Sequence, residues 1–261
     1  MSRIAKKFED LKGGGKKGFI PFVTAGDPDL ETSLRIVLKL AEMGADVIEL
    51  GVPFSDPMAD GPTIQRSSQR ALENGTKLPD ILALVREFRK FSEVPIVLFS
   101  YLNPLWRFGL EKLAAESLAA GIDGILVTDV VGEEAEEIGN TFSKNGVDLI
   151  SLIAPTTTDE RLKSIASSAS GFIYAVSRAG VTGARAEAGS DAESLVSRVR
   201  KYTGLPVAVG FGISTRAQIE DVWRYADGAV VGSAIVAEIE KHSGKDVVSV
   251  VEKFLRELLP R

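Results

Sequence analysis

The 261-residue sequence contains no cysteine and a single histidine, His242. The first absence excludes disulfides, thiolate nucleophiles, iron–sulfur clusters and cysteine-ligated zinc. The second excludes any centre that needs two or more imidazoles, a His-ligated zinc aldolase among them. There is no basic excess either: the formal charge is −5, which argues against a nucleic-acid binder. No run of 18 apolar residues occurs, so no membrane span is expected. The opening MSRIAKKFEDLKGGGKKG lacks the apolar core of a secretory signal, and a cytoplasmic location is expected. Asn74-Gly75-Thr76 then reads as a turn rather than a glycosylation acceptor. Gly13-Gly14-Gly15-Lys16-Lys17 lacks the spacing of a P-loop.

What is present is an ordinary globular composition, 44% hydrophobic and 26% charged, on a chain long enough for a large core. Short apolar runs rich in Val and Ile alternate with longer stretches of helical period. The runs are Phe19–Thr24, Val47–Gly51, Ile96–Tyr101, Gly124–Thr128, Leu149–Ile153, Phe172–Val176, Val207–Gly210 and Gly228–Val231. They lack strict alternation, as strands covered on both faces do. Between them, Leu34, Val37, Leu38 and Ala41 mark one helical face, and Ile81, Leu84, Val85 and Phe88 another. Thr157 and Glu160 fit a capping box, and Asp27-Pro28 fits an N-cap with Pro at the first helical position. Gly44, Gly121 and Gly146 fit helix ends. Eight βα units in one α/β domain spanning 1–261 match a (β/α)8 barrel, although a doubly wound open sheet has the same periodicity. Ile4, Phe8 and Leu11 predict an extra N-terminal helix that covers one barrel end.

In Val47-Ile48-Glu49-Leu50-Gly51 the alternation of faces sends Ile48 and Leu50 outward and Glu49 inward. A barrel's active site lies at the strand C-termini, so Glu49 is a candidate general acid or base with a raised pKa. A structural salt bridge is the competing reading. The loop that follows, residues 52–62, carries Asp56 and Asp60 among three prolines, which stiffen it. Asp60 could accept a hydrogen bond from a substrate N–H; plain turn chemistry is as good a reading from spacing. Glycine-rich corners follow the last three predicted strands: residues 177–183, Gly210-Phe211-Gly212-Ile213-Ser214, and Gly232-Ser233. Ser233 opens a predicted short helix over 234–241, and backbone amides there suit a phosphate. No Lys stands at a predicted strand end, so a Schiff-base aldolase lacks its nucleophile. His242 is expected to be solvated, and Trp106 and Trp223 to be packing residues.

The stretch from Glu49 to Gln65 (ELGVPFSDPMADGPTIQ) resembles the signature of the tryptophan synthase α-subunit family. Residues 19–28 resemble that family's first strand and loop, and residues 174–183 its sixth loop. Gly210–Ser214 and Gly232–Val236 resemble its phosphate site. The match runs through nearly the whole chain in order. The resemblance implies a TIM barrel and the reversible retro-aldol cleavage of indole-3-glycerol phosphate to indole and glyceraldehyde 3-phosphate. It implies Glu49 as the acid/base at indole C3, Asp60 as the partner of the indole N–H, and Tyr174 as a lining residue. Phe22, Tyr101, Leu126 and Ile153 would form the indole pocket. Gly183, Gly212, Gly232 and Ser233 would hold the phosphate beside Phe211, with Thr182 closing the sixth loop over Asp60. The family implies no cofactor in this chain. It implies a pyridoxal-phosphate β subunit as partner in an α2β2 assembly, facing loop two (Pro53, Asp56) and the sixth loop. Two positions depart from the family pattern: Val131, usually Pro, and Phe99, often Leu. A free-standing lyase, a catalytically weak binding partner and another phosphosugar enzyme on the same barrel are the alternatives.

Overall fold

The computed structural model describes residues 1–130, 133–176, 185–210, 212–242 and 246–259; the side chains of residues 133 and 185–190 are outside that description. The eight strands are β1 (Gly18–Thr24), β2 (Ile48–Gly51), β3 (Ile96–Ser100), β4 (Gly124–Val127), β5 (Asp148–Ile153), β6 (Ile173–Val176), β7 (Val207–Gly210) and β8 (Gly228–Val231). Each pairs in parallel with its neighbours, and β8 pairs with β1, closing a barrel in sequence order. The closure decides between the two architectures that periodicity left open. Every run predicted as a strand is one, displaced by at most one residue at either end.

Strand alternation divides the core into two layers. Ile48, Leu50, Ile125, Ile153 and Ile173 point outward to the helices. Ile20, Val97, Leu126, Ile150, Phe172, Tyr174 and Val230 point into the barrel. The helix α1 (Arg3–Gly13) closes the N-terminal end by adding Ile4, Phe8 and Leu11 to this inner layer. Phe8 reaches Phe172 with ring centroids 5.6 Å apart. Removing each of these apolar side chains from water contributes about 1.5–3 kcal/mol as an upper bound. The interior of the barrel at this end is therefore filled by side chains.

The outer helices are α2 (Leu30–Glu42), α3 (Pro62–Glu73), α4 (Leu78–Phe88), α5 (Leu102–Phe108), α6 (Leu110–Ala120), α7 (Glu133–Ser143), α8 (Asp159–Ser168), α9 (Arg185–Val199), α10 (Arg216–Trp223), α11 (Ser233–Lys241) and α12 (Val247–Leu258). Gly121 ends α6 in the left-handed conformation, φ +89°, and Gly44 and Gly146 also take positive φ. Two cap predictions are corrected. Asp29, not Asp27, caps α2 by accepting from the Thr32 amide at 2.8 Å. Asp27 is instead engaged by Arg70. Thr158, not Thr157, caps α8; the Thr157 hydroxyl accepts from the Ala154 amide and closes the preceding turn. A run of three threonines offers three cap phases, and burial of Leu162 selects the last.

Trp223 packs as predicted and donates its indole N–H to the Gly18 carbonyl at 3.0 Å. Trp106 does not: on α5, 68% of it is exposed. His242 is not fully solvated; its ring lies 3.0 Å from the Glu238 carbonyl at the end of α11. Asn74 and Gly75 form the turn that ends α3, with Gly75 at φ +77°.

Candidate active site

The C-terminal mouth of the barrel holds a cavity of about 300 Å³. Glu49 forms part of its wall. Its side chain is fully buried, and neither carboxyl oxygen has a hydrogen-bond partner among the described residues. The salt bridge of the competing reading is not formed among them either. Burial holds the Glu49 carboxyl well above the ordinary carboxylate range and so favours its protonated form. Strand geometry produces this arrangement. Ile48 and Leu50 are drawn outward by the helix layer, and the residue between them must face in.

Asp60 lines the same cavity from the loop after β2. It is half-buried, and desolvation pushes its pKa up to about 6, against the opposing pull of the nearby Tyr101 hydroxyl. The loop is anchored at both sides of Asp60. The Ala59 amide donates to the Tyr101 hydroxyl at 3.0 Å, and the Gln65 side-chain amide donates to the Asp60 carbonyl at 2.9 Å. Phe54 covers the Tyr101 ring at 5.3 Å. The two carboxyl groups thus differ in environment: Glu49 is sealed and raised well above the ordinary range, while Asp60 is half-buried and raised to about 6.

The walls between them are aromatic. Phe22 stands opposite Glu49 in the β1–β2 register and meets Phe99 edge-on at 5.3 Å. Phe99 in turn meets the Tyr174 ring at 6.5 Å. Tyr174 is buried, and the carboxyl groups of Glu49 and Asp60 add to burial in holding its phenol protonated. At the far end, Gly232 caps α11 and Ser233 is its first residue; with Gly212 they line the cavity. The Ile235 and Val236 amides bond back to the Gly232 carbonyl, and Gly212 (φ +78°) brings backbone without side-chain bulk to the same end, a setting that suits an anion.

The predicted site residues do not all gather here. Glu49, Asp60, Tyr174, Phe22, Gly212, Gly232 and Ser233 line the cavity. Tyr101 does not; it is the post on which loop two rests. Leu126 lies in the inner layer among the residues beneath the cavity. Ile153 is a correction. It belongs to the outer layer, because its strand alternates with Leu152, not Ile153, facing inward. Leu152 stands opposite Tyr174 in the β5–β6 register. Thr182, Gly183 and Phe211 lie outside the described residues, as does Val131. Thr63, Ile64 and Val230 also line the cavity. Alternation along β8 could have identified Val230; the first-turn residues of α3 carried no signal, since the helix axis was not legible.

A buried carboxyl group facing an apolar slot, an ionisable carboxyl group across it and the start of α11 beyond have the parts of a barrel lyase that works by acid–base chemistry. The model of the family described as tryptophan synthase alpha chain matches residues 8–258. A tryptophan synthase alpha chain of Citrifermentans bemidjiense is 51% identical over 258 residues, 99% of this chain and 97% of that one. One from a Thermoanaerobacter species (strain X514) is 48% identical, covering 99% and 98%. The crystal structure of the alpha subunit from Legionella pneumophila superposes with a TM-score of 0.91 at 37% identity, over 99% of this chain and 97% of that one. A chain from the tryptophan synthase α2β2 complex of Pyrococcus furiosus superposes with a TM-score of 0.84 at 42% identity, over 92% and 97%. The chain belongs to the tryptophan synthase alpha chain family. Its reaction is the alpha reaction of tryptophan biosynthesis, the reversible cleavage of indole-3-glycerol phosphate to indole and glyceraldehyde 3-phosphate.

Proposed function

We propose that Glu49 and Asp60 divide the cleavage between them, with the phosphate held at α11. The observation that carries this reading is the buried Glu49 carboxyl, without a partner among the described residues and lining the cavity. Glu49 gives its proton to indole C3, which leaves a cationic ring. Asp60, ionised, accepts the indole N–H and balances the ring's positive charge. The side-chain hydroxyl next to C3 then loses its proton to the Glu49 carboxylate. The carbon–carbon bond breaks, its electron pair restores the aromatic ring, and the aldehyde forms. The ring serves as the electron sink, so the step balances with these groups alone. Tyr174, Phe22, Phe99 and Leu152 shape the slot for the indole. Gly212, Gly232 and Ser233 bind the phosphate, and by the family resemblance Gly183, Phe211 and Thr182 belong to the same site.

The pH dependence follows from Asp60. Below about pH 6 it is protonated and neutral, so it no longer balances the ring charge. We expect kcat/KM to rise through that pH and the residual activity of Asp60→Asn to lack the same limb. The substrate phosphate titrates in the same region. A limb that persists unchanged in Asp60→Asn would assign it to the substrate. At the other end of the cavity, Gly212→Val places a β-branched residue at φ +78° and displaces the amide. KM should rise about tenfold with kcat little changed, a loss of about 1.4 kcal/mol in binding. An unchanged KM would move the phosphate elsewhere.

We also infer that the whole chain acts as one domain in the cytoplasm, in an α2β2 assembly with a β subunit that carries the pyridoxal phosphate. No helix among the described residues is long and apolar enough to cross a membrane. The Pyrococcus furiosus complex supports the assembly. Met58 of loop two, 92% exposed, and Trp106, 68% exposed, stand at the cavity end of the barrel, where such a partner would bury them. Pro53 and Asp56 lie on the same loop. Slow indole release that rises sharply when β subunit is added tests this reading; fast release without it would favour a free-standing lyase.

A further inference from the structure

The helix that follows Asp60 has little apolar anchorage. The buried residues of α3 are Ser67, Ser68 and Ala71, whereas the neighbouring α4 buries Leu78, Ile81, Leu82, Leu84, Val85 and Phe88. Apolar burial therefore contributes little to fixing α3, and polar contacts must hold it. The Ser67 and Thr24 hydroxyls, 2.6 Å apart, tie its middle to β1. In its last turn the Arg70 guanidinium donates twice to Asp27, both at 2.8 Å, and once to Glu240 at 2.8 Å. Glu240, near the end of α11, also accepts two bonds from Arg66, at 2.6 and 2.7 Å. Arg66 foremost, with Arg70, holds the Glu240 carboxyl down to about 2, so it stays ionised. The Asp27 side chain is 1% exposed and would be a buried, uncompensated charge without Arg70.

The two helices joined by this cluster start at the same cavity. Gly61, Pro62 and Thr63 open α3 directly after Asp60, and Gly232 and Ser233 open α11. The span from Asp60 to the amides of α11 therefore depends on how the two helices are set against each other. We propose that Arg70 is a positioning residue for the cleavage: by joining Asp27 to Glu240 it fixes the separation between Asp60 and the phosphate end of the cavity. This rests on the site reading above, in which the indole meets Asp60 and the phosphate meets α11. A ligand that reaches only one end does not sense that separation. A ligand that spans both ends does.

The test is binding of three probes to the full chain. They are indole, glycerol 3-phosphate, and a non-cleavable analogue in which a three-carbon chain without hydroxyls joins indole to phosphate. In Arg70→Gln and in Glu240→Gln, each fragment should bind within about twofold of the native chain. The joined analogue should weaken about tenfold, with kcat/KM for cleavage falling at least as far. Arg70→Lys keeps the charge but not the two-pronged grip, and should recover only part of the loss. Glu240→Gln leaves the Asp27–Arg70 pair intact and supplies the same readout if Arg70→Gln does not fold. Proportional weakening of all three probes would overturn the proposal in favour of a merely structural role, as would unchanged binding of the analogue. If the native chain did not bind the analogue at all, the underlying site reading would fall, and this proposal with it.

Discussion

Glu49→Gln lowers the rate of indole-3-glycerol phosphate cleavage by about 10²–10⁴-fold, the range that general acid–base groups supply. Gln matches the shape of Glu and has no proton to give to C3. Because no described residue bonds to the Glu49 carboxyl, the substitution breaks no hydrogen bond among them. The same change should stabilise the fold at neutral pH. Burial raises the Glu49 pKa in the folded state, so between the unfolded and folded values the native chain binds the extra proton. Stability then falls as pH rises through that interval, by about 1.4 kcal/mol for each unit of separation. Gln carries no such cost. Glu49→Gln should melt higher than the native chain at pH 7, and the gain should vanish near pH 4, where both states of Glu49 are protonated. Thermal melts at the two pH values check this. A variant destabilised equally at both would show that Glu49 is structural. The expected pattern is a catalytic group held at the expense of stability.

Gly210→Ala should be nearly as damaging, through a different route. A Cβ on Gly210 would lie 2.1 Å from the Tyr174 hydroxyl oxygen, 2.6 Å from its ring carbon Cζ and 2.9 Å from the Val230 Cβ. Tyr174 is buried against Phe99, and it and Val230 line the cavity, so the open side for the ring is the cavity itself. The ring is expected to tip into that space, where the proposed site takes the indole. Overpacking of this kind costs about 1–3 kcal/mol of stability, and a shift of about 1 Å at the reacting centre costs about 10²-fold in rate. The stability loss should shrink when the same substitution is made in a Tyr174→Ala background, because only the Val230 contact remains. A double-mutant cycle by denaturant unfolding measures that coupling. Additive effects would mean that the phenol does not oppose the new methyl group.

Much of this site is legible in the chain because the barrel converts residue order into position. Eight apolar runs mark the strands, and alternation around Glu49 sets the direction of its side chain. The same rule exposes Ile153 as a misplaced wall residue. Ile153 and Leu152 are both apolar, so the run alone does not say which of them faces in; the register with Tyr174 does. Tyr101 stands at the end of β3 as expected but does other work, since nothing local reveals that its hydroxyl supports the loop after β2. The Asp27 cap fails for a related reason. A turn residue before Pro has a local use as a cap, and a cation arriving from 43 residues away takes it instead. Trp106 shows the limit of composition: a large aromatic suggests core, yet it stands exposed on α5. Sequence patterns carry strand faces and motif order. They do not carry contacts whose geometry depends on how helices sit against one another.

The most direct test of the account is cleavage of indole-3-glycerol phosphate in deuterium oxide, with β subunit present, by the native chain and by Glu49→Gln. The released indole should be assayed at once for deuterium at C3. The account predicts that the native chain releases indole labelled at C3, and that Glu49→Gln releases little or none while retaining its fold and its affinity for phosphate. Labelled indole formed by Glu49→Gln at the native rate would contradict it, because the proton would then reach C3 from another group.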